Sequence, residues 1–187
     1  WLGISLPEAC GGQGLPATYA GLLLEEAGRY IAPVPLHSTL VVAIVLARHG
    51  SVAQRALLRS VVDGDLILSF AVQGPSGAWS GAGEGLTGRR EDGHVVLDGT
   101  CSFVDGFRAS GRCLVLYRPE GGGVVSAFVD TSSSGITCVD YVTTAKDSQG
   151  RVSFSGVLVP LSDVIEEPDR AKALARDLCD YAAVLMC

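Results

Sequence analysis

Few side chains in this sequence are spaced for acid–base or nucleophilic chemistry. Two adjacent carboxylate pairs, Glu25-Glu26 and Glu166-Glu167, could supply a base, but their places on a helix face and at element ends indicate solvated charges. His37, His49 and His94 have no recurring Ser or Asp spacing of the kind a hydrolytic triad needs. We therefore expect neither carboxylate pair to be a catalytic base, and no hydrolytic triad.

Two other polar residues stand next to apolar segments. Gln73 follows Phe70-Ala71-Val72, and Asp105 follows Phe103-Val104. A buried polar group costs free energy unless it has a hydrogen-bond partner, so both are poor core residues. By residue type alone, plain core packing is as consistent as a functional role with Phe70, Val72 and Phe103.

The cysteines and glycines indicate neither a metal site nor a phosphate-binding loop. With no C-x-x-C spacing and only three histidines, a zinc site is not expected, and reduced cysteines in the cytoplasm are the expectation. No lysine follows the glycines at 81, 83 and 85, and their context is a β-hairpin rather than a strand-to-helix turn. The cysteines are Cys10, Cys101, Cys113, Cys138, Cys179 and Cys187.

Composition limits the class of partner. The 187 residues are 48% hydrophobic and 18% charged, which is typical of a well-packed globular protein. A net charge of −6 without a Lys/Arg cluster argues against a nucleic-acid partner. The longest apolar run, Leu40–Ala47, is far shorter than the roughly 20 residues of a membrane span, so no membrane partner is expected.

The first third of the chain has helical periodicity. Apolar residues recur every three to four positions over residues 17–31, and Pro33 and Pro35 end that helix. A second helix is predicted over residues 37–49 with Gly50 as its terminator. Ser51 is the predicted N-cap of a third helix that runs to about residue 62, before the break at residues 63–65.

From residue 66 onward the pattern changes to short strands. Residues 86–90 and 94–97 flank Glu91-Asp92-Gly93, a hairpin turn in which Gly93 can adopt positive φ. Short strands at regular spacing predict a barrel or sandwich, and helical periodicity returns over residues 169–187. The other predicted strands cover residues 66–72, 113–118, 124–130, 136–141 and 152–159.

The opening segment, residues 1–14, is specific in its order of residues. Its sequence, WLGISLPEACGGQG, resembles the W-x-G-x-x-x-P-E-x-x-G-G-x-G segment of acyl-CoA dehydrogenases. The glycines permit positive φ, and Pro7 fixes its own φ and favours an extended Leu6. Residues 25–29 and 32–36 resemble most the actinobacterial members of that family that degrade sterol side chains.

Three later segments extend the resemblance. Residues 70–80 correspond to F-A-x-T-E-P-x-A-G-S-D, with Gln73 and Gly74 in place of Thr and Glu. Residues 98–106 correspond to N-G-x-K-x-W-I-T-N, where Phe103 stands for the aromatic residue and Asp105 for Thr. Residues 154–160 match F-x-x-V-x-V-P.

The resemblance implies an α+β fold in the domain order of the family. We expect part of an N-terminal helical domain at residues 1–65, an antiparallel β-barrel domain at residues 66–165, and the start of a C-terminal helical domain at residues 166–187. Because the chain starts within a motif and ends on an uncapped helix, we expect it to be a fragment. The family's catalytic base is expected beyond Cys187, so the fragment alone is expected to be inactive.

The resemblance also implies FAD-dependent α,β-dehydrogenation of an acyl-CoA thioester, with a steroid side chain as one substrate. In the family a carboxylate removes the α-proton while the β-hydrogen leaves as hydride to flavin. The residues implied to contact FAD are Phe70, Val72, Gln73, Phe103 and Asp105, and Ser80 is implied to lie near the substrate thioester or the phosphates. A homo- or heterotetramer with a related subunit and an electron-transfer acceptor are the implied partners.

Asp105 is the sharpest departure from the family pattern. It places a carboxylate where a neutral hydroxyl is expected, and a negative charge disfavours the anionic reduced flavin. Two alternatives therefore stay open. The chain could be a non-catalytic or flavin-deficient partner subunit of a heteromeric acyl-CoA dehydrogenase, or a flavin-dependent oxidase or monooxygenase of the same superfamily.

Overall fold

The structure, a computed structural model, describes residues 1–78, 83–144 and 147–186. Its first 14 residues fold into a compact loop around a single 3₁₀ turn, Glu8–Cys10. The Gln13 N–H donates to the Gly3 carbonyl at 2.9 Å, and the Gly14 N–H donates to the Leu6 carbonyl at 2.8 Å. The loop brings Gly12 against the backbone of Leu6, where a Cβ on Gly12 would lie 2.2 Å from the Leu6 oxygen. This close approach explains why glycine is needed at that position.

The helices α1 (Ala17–Arg29), α2 (Leu36–His49), α3 (Val52–Ala56) and α4 (Leu58–Asp63) follow the loop. Helix α1 ends slightly earlier than predicted, because Ile31 adopts a positive φ of 51°. Ser51 caps α3 as predicted, through a capping box with Gln54. The predicted third helix is split into α3 and α4 at Leu57.

Eight strands form one mixed sheet in the order β6-β7-β3-β2-β4-β5-β8, with β1 paired to β4. Asp92 and Gly93 form the predicted hairpin turn with φ of 42° and 79°. Strand β3 continues to Asp105, beyond the predicted boundary at residue 97. The strands are β1 (Leu68–Ala71), β2 (Leu86–Glu91), β3 (His94–Asp105), β4 (Arg112–Pro119), β5 (Val125–Asp130), β6 (Ile136–Asp140), β7 (Gln149–Pro160) and β8 (Val164–Ile165).

The predicted α+β class is confirmed, but "antiparallel barrel" describes the sheet only loosely. Strand β4 pairs in parallel with both β1 and β2. The sheet is open, since the end strands β6 and β8 do not pair with each other in the part of the chain that the structure describes. β8 was not predicted.

Two apolar cores share strand β4. Its Cys113, Val115 and Tyr117 belong to a core built mainly from strand residues. The alternate residues Leu114 and Leu116 face the second core, beneath the helices. Helix α5 (Pro168–Val184) packs its buried face onto this second core beside α2. The alternation follows from the period of two along a strand, and it fixes the helices against one face of the sheet.

Candidate functional site

A cavity of about 870 Å³ lies where the helices meet the ends of β1 and β3. The connection between α1 and α2 forms one wall, the first turn of α2 another, and the two residues that follow α5 a third. Large apolar side chains dominate the lining, and several polar groups converge on it, as in many small-molecule sites. The apolar lining residues include Leu24, Ile31, Val34, Leu36, Leu185 and Met186.

The fold brings four of the predicted site residues to this cavity. Phe70, Gln73, Phe103 and Asp105 all line it, although they come from two segments separated along the chain. Val72 does not line it; its side chain is buried in the core beneath the helices, the same core to which Phe70 belongs. Ser80, the predicted substrate contact, lies outside the described residues.

Phe103 reaches the cavity through an irregularity in β3. The pairing of β3 with β7 shifts between Cys101 and Val104, and Phe103 adopts a positive φ of 55°. The residue is 52% exposed, and its ring contacts that of Tyr141 at a centroid distance of 5.3 Å. A large residue in the left-handed region costs about 1 kcal/mol or more, and such strain is common at functional sites. The bulge thus turns an aromatic ring out of the core and into the cavity wall.

Hydrogen bonds to their backbone carbonyls position Gln73 and Asp105. The Ser102 N–H donates to the Gln73 carbonyl at 2.9 Å, which ties the exit of β1 to β3. The Ser69 hydroxyl donates to the Asp105 carbonyl at 2.7 Å. Both side chains are half-buried. The two polar residues that the sequence singled out therefore stand on fixed backbone at one end of the cavity.

The surroundings of Asp105 raise the pKa of its carboxyl group. Burial has the largest effect and raises the pKa. The charge of His37, a hydrogen bond from the Ser38 side chain and one from the Gly106 backbone act in the opposite direction, whereas the charge of Asp147 adds to the increase. The net change is upward, so the carboxyl holds its proton to higher pH than an exposed aspartate does.

His37 is a cavity residue that the sequence analysis did not predict. It lies in the first turn of α2, and its Nε2 atom lies 3.0 Å from the Ala182 carbonyl oxygen of α5. Its ring meets Phe70 edge-on, with centroids 6.1 Å apart. The predicted helix start at residue 37 placed this side chain on a helix, but no local pattern could show that it faces Phe70 and Asp105.

A flavin fits this cavity in shape but not in charge. The aromatic rings of Phe70 and Phe103 and the amide of Gln73 are suited to a flat ring system with a polar edge. The ionisable side chains of the described lining are, however, Glu25, Asp105, Asp147 and His37, and this lining has no Arg or Lys. Such a lining opposes the negative charge of a reduced flavin and of a dinucleotide's phosphates. The charges of the lining therefore do not fit FAD held in this cavity.

The remaining ionisable candidates have partners elsewhere. Glu26 lies 3.1 Å from Arg29, and Glu166 pairs with Arg90. His49 contacts Asp177 at 2.9 Å. Within residues 1–78, 83–144 and 147–186, no group of three or more His, Cys, Asp or Glu could hold a metal ion. Over the same residues, no helix has the length and apolar character to cross a membrane.

The first part of the chain matches a known protein family. Residues 1–65 match the family model for the acyl-CoA dehydrogenase N-terminal domain. No protein of curated function matches the sequence.

Solved structures match nearly all of the chain. A variant of the Tcur3481-Tcur3483 steroid ACAD is 32% identical, with a TM-score of 0.78, and the match covers 97% of this chain and 49% of that one. The ChsE4-ChsE5 complex from Mycobacterium tuberculosis gives a TM-score of 0.85 at 23% identity, over 97% of this chain and 49% of that one. A glutaryl-CoA dehydrogenase from Mycobacterium smegmatis in complex with FADH2 gives a TM-score of 0.76 at 19% identity. That match covers 94% of this chain and 48% of that one.

The matches to the ChsE4-ChsE5 complex and to the glutaryl-CoA dehydrogenase, at 23% and 19% identity, show only a shared fold. The chain spans about half the length of these structures. The predicted resemblance to acyl-CoA dehydrogenases, and to steroid-acting subunits among them, is confirmed.

Proposed function

We propose that this chain, an acyl-CoA dehydrogenase relative, is part of a subunit of a FAD-dependent enzyme that introduces an α,β double bond into an acyl-CoA thioester. A steroid side chain is the proposed acyl group, supported by the similarity to the steroid ACAD at 32% identity. The single observation that carries the proposal is the cavity, which brings together Phe70, Gln73, Phe103 and Asp105, four residues of the two flavin-associated segments.

Within that enzyme, the charge of the cavity favours the flavin-deficient partner role for this chain. Asp105 replaces a neutral hydroxyl of the family pattern, and Glu25 and Asp147 add two further carboxylates to the same lining. A heteromeric assembly, in which a related subunit supplies the base and holds FAD, is consistent with these charges. The heteromeric assembly is supported by the match to the ChsE4-ChsE5 complex, because the name of that complex gives two different subunits.

The second candidate is that this chain itself binds FAD. The position of two aromatic rings, Phe70 and Phe103, beside the Gln73 amide favours it. In that case Phe70, Gln73, Phe103 and Asp105 contact the flavin from the cavity lining, and Val72 supports them from the core. Ser80 stays a proposed substrate contact.

Other parts of the proposal follow from the family. They are the domain division at residues 1–65, 66–165 and 166–187, a homo- or heterotetramer, and an electron-transfer acceptor. A cytoplasmic location is proposed from the expectation of reduced cysteines. The catalytic base is proposed to come from outside residues 1–187.

Flavin content separates the two candidates. The full-length protein that contains this chain should be purified alone and with any subunit that copurifies with it, and its visible absorbance recorded. A colourless protein that dehydrogenates acyl-CoA only after a second subunit is added supports the partner role; a yellow protein whose flavin is bleached by acyl-CoA without oxygen supports the second candidate. If no combination of subunits oxidises an acyl-CoA, the proposed function is wrong.

A substitution at Asp105 tests whether its carboxylate determines the flavin content. Asp105→Thr restores the hydroxyl of the family pattern, so we expect it to increase flavin retention if the carboxylate excludes flavin. Glu25→Gln is the matched control, because it removes a carboxylate at the exposed rim of the same cavity. An equal gain in both variants would show a general charge effect rather than an effect of Asp105.

A further inference from the structure

The polar end of the cavity is built from two rigid elements that touch. Gly106 follows Asp105 at the end of β3, and a Cβ on Gly106 would lie 2.6 Å from Cβ of Pro35, just before α2. His37 stands in the first turn of α2 and lines the same cavity as Asp105. A site on regular elements keeps its geometry better than one on loops.

Both side chains retain free hydrogen-bonding capacity. A carbonyl oxygen only accepts, so the contact between Nε2 of His37 and the Ala182 oxygen assigns the hydrogen to Nε2 and leaves Nδ1 for another group. The Gly106 N–H donates to the Ser148 carbonyl at 2.8 Å, and the Ser38 hydroxyl donates to the Pro35 carbonyl at 3.4 Å, so these two neighbours of the Asp105 carboxyl have acceptors of their own. An ionised carboxylate has about four lone-pair positions, so it can accept further bonds from a ligand.

The rest of the lining limits what the ligand can be. Leu24, Leu36 and Leu185 offer apolar surface, and the cavity volume of about 870 Å³ suits a bulky ring system. The described lining contains three carboxylates and neither Arg nor Lys, so an anionic group is opposed at this end.

We propose that Asp105 and His37 bind the hydroxyl group of a bulky, uncharged, otherwise apolar ligand in this cavity. The hydroxyl donates its hydrogen to a carboxylate oxygen of Asp105, and its oxygen accepts a hydrogen bond from Nδ1 of His37 with both ring nitrogens protonated. This inference rests on the partner role of the proposed function, because the hydroxylated ligand takes space that flavin would need. A site built to pair a hydroxyl discriminates against an analogue that lacks it, since its buried polar group then stays unpaired.

Binding of three matched compounds tests the inference. A steroid alcohol, the corresponding ketone and the sulfate ester of the alcohol should be titrated calorimetrically into the full-length protein, with its partner subunit if one copurifies. We expect the alcohol to bind about tenfold or more tightly than the ketone, which cannot donate a hydrogen bond, and the sulfate to bind weakest. Equal affinities, a preference for the ketone or the sulfate, or no binding of any of the three would overturn the inference.

Variants assign the preference to named side chains. Asp105→Asn keeps the size of the side chain and should reduce the alcohol-to-ketone ratio to about one; Glu25→Gln should leave that ratio unchanged. His37→Gln should weaken the alcohol selectively. If Asp105→Asn fails to fold by circular dichroism, Asp105→Ser serves in its place. A ratio that persists in the Asp105 variant would overturn the role of Asp105.

Flavin content, measured on the same preparations, keeps this inference distinct from the proposed function. A colourless protein with active partner subunits but no preference for the alcohol contradicts only the hydroxyl site. A yellow protein without that preference contradicts both the hydroxyl site and the partner role.

Discussion

The Nε2 atom of His49, at the end of α2, lies 2.9 Å from Oδ2 of Asp177 in α5. Arg48 reaches the same oxygen at 3.3 Å, and Arg170 of α5 donates to the His49 carbonyl at 2.7 Å. The side chain of Asp177 is only 15% exposed. The contact therefore joins the two helices that cover the sheet, near the end opposite to the cavity residue His37.

Asp177→Asn should destabilise the protein. The substitution weakens two charge-assisted hydrogen bonds between α2 and α5, so we expect a loss of about 1–2 kcal/mol in the free energy of unfolding, measured by urea denaturation. Asp180→Asn, on the exposed face of the same helix, is the control and should change stability little. Equal losses in both variants would contradict a specific role for this contact.

The same substitution has a defined pH dependence. Burial alone would raise the pKa of Asp177, but hydrogen bonds and charges from His49 and Arg48 lower it overall. A carboxyl whose pKa is lower in the folded state stabilises the protein above its unfolded pKa of about 4, and this contribution is lost as the pH falls through the folded pKa. The stability difference between the wild type and Asp177→Asn should therefore shrink as the pH is lowered below about 4.

Gly12→Ala should be severely destabilising. Its Cβ would lie 2.2 Å from the Leu6 oxygen, and backbone cannot move aside as a flexible side chain can. We expect a loss of about 3 kcal/mol in urea denaturation, at the upper end of overpacking effects. Gly28→Ala is the control, because no atom lies within 4 Å of its added Cβ and it stands inside α1. That variant should gain up to about 1 kcal/mol in stability, so a similar response of the two positions would refute the steric explanation.

At Phe103, glycine should be better tolerated than alanine. The residue adopts a φ of 55°, which costs an L-residue about 1 kcal/mol and costs glycine little. Phe103→Gly should therefore be more stable to urea than Phe103→Ala by about 1 kcal/mol. The same pair of substitutions at Val139, an exposed residue in β6, should show the usual order, with alanine more stable. Finding alanine more stable at both positions would argue against a left-handed Phe103.

Asp105→Asn should stabilise the protein at neutral pH. Burial raises the pKa of Asp105 in the folded state, so that state binds more protons than the unfolded chain between the unfolded and folded pKa values. The contribution of Asp105 to stability therefore falls as the pH rises through that window, and asparagine removes this loss. The gain of the variant over the wild type should decrease as the pH approaches about 4.

Asp130 provides a control for Asp105, because the expected change in stability has the opposite sign. Hydrogen bonds from the Ser132 side chain and backbone lower the pKa of Asp130. Asp130→Asn should therefore lose stability at neutral pH and approach the wild type at acid pH. If both variants shifted stability in the same direction across the titration, the environment assigned to Asp105 would be wrong.

Local physical chemistry made much of the fold predictable from the sequence. The capping box at Ser51, the turn at Asp92-Gly93 and the tight loop that needs Gly12 depend on neighbouring residues, and their residue types show them directly. The predicted grouping of Phe70, Gln73, Phe103 and Asp105 came instead from the family resemblance. No periodicity in the sequence could have brought those two segments together.

The remaining features were decided by contacts between distant parts of the chain. Strand β3 extends to Asp105 because β7 pairs with it, and the bulge in that pairing gives Phe103 its positive φ. His37 meets Phe70 only because α2 packs on β1. The sequence by itself determined the elements, their turns and the family resemblance, since these follow from short-range sterics and residue order. Tertiary packing alone placed His37 beside Asp105 and brought Glu25 and Asp147 to the same cavity, because charge and burial in a cavity depend on which distant side chains share it.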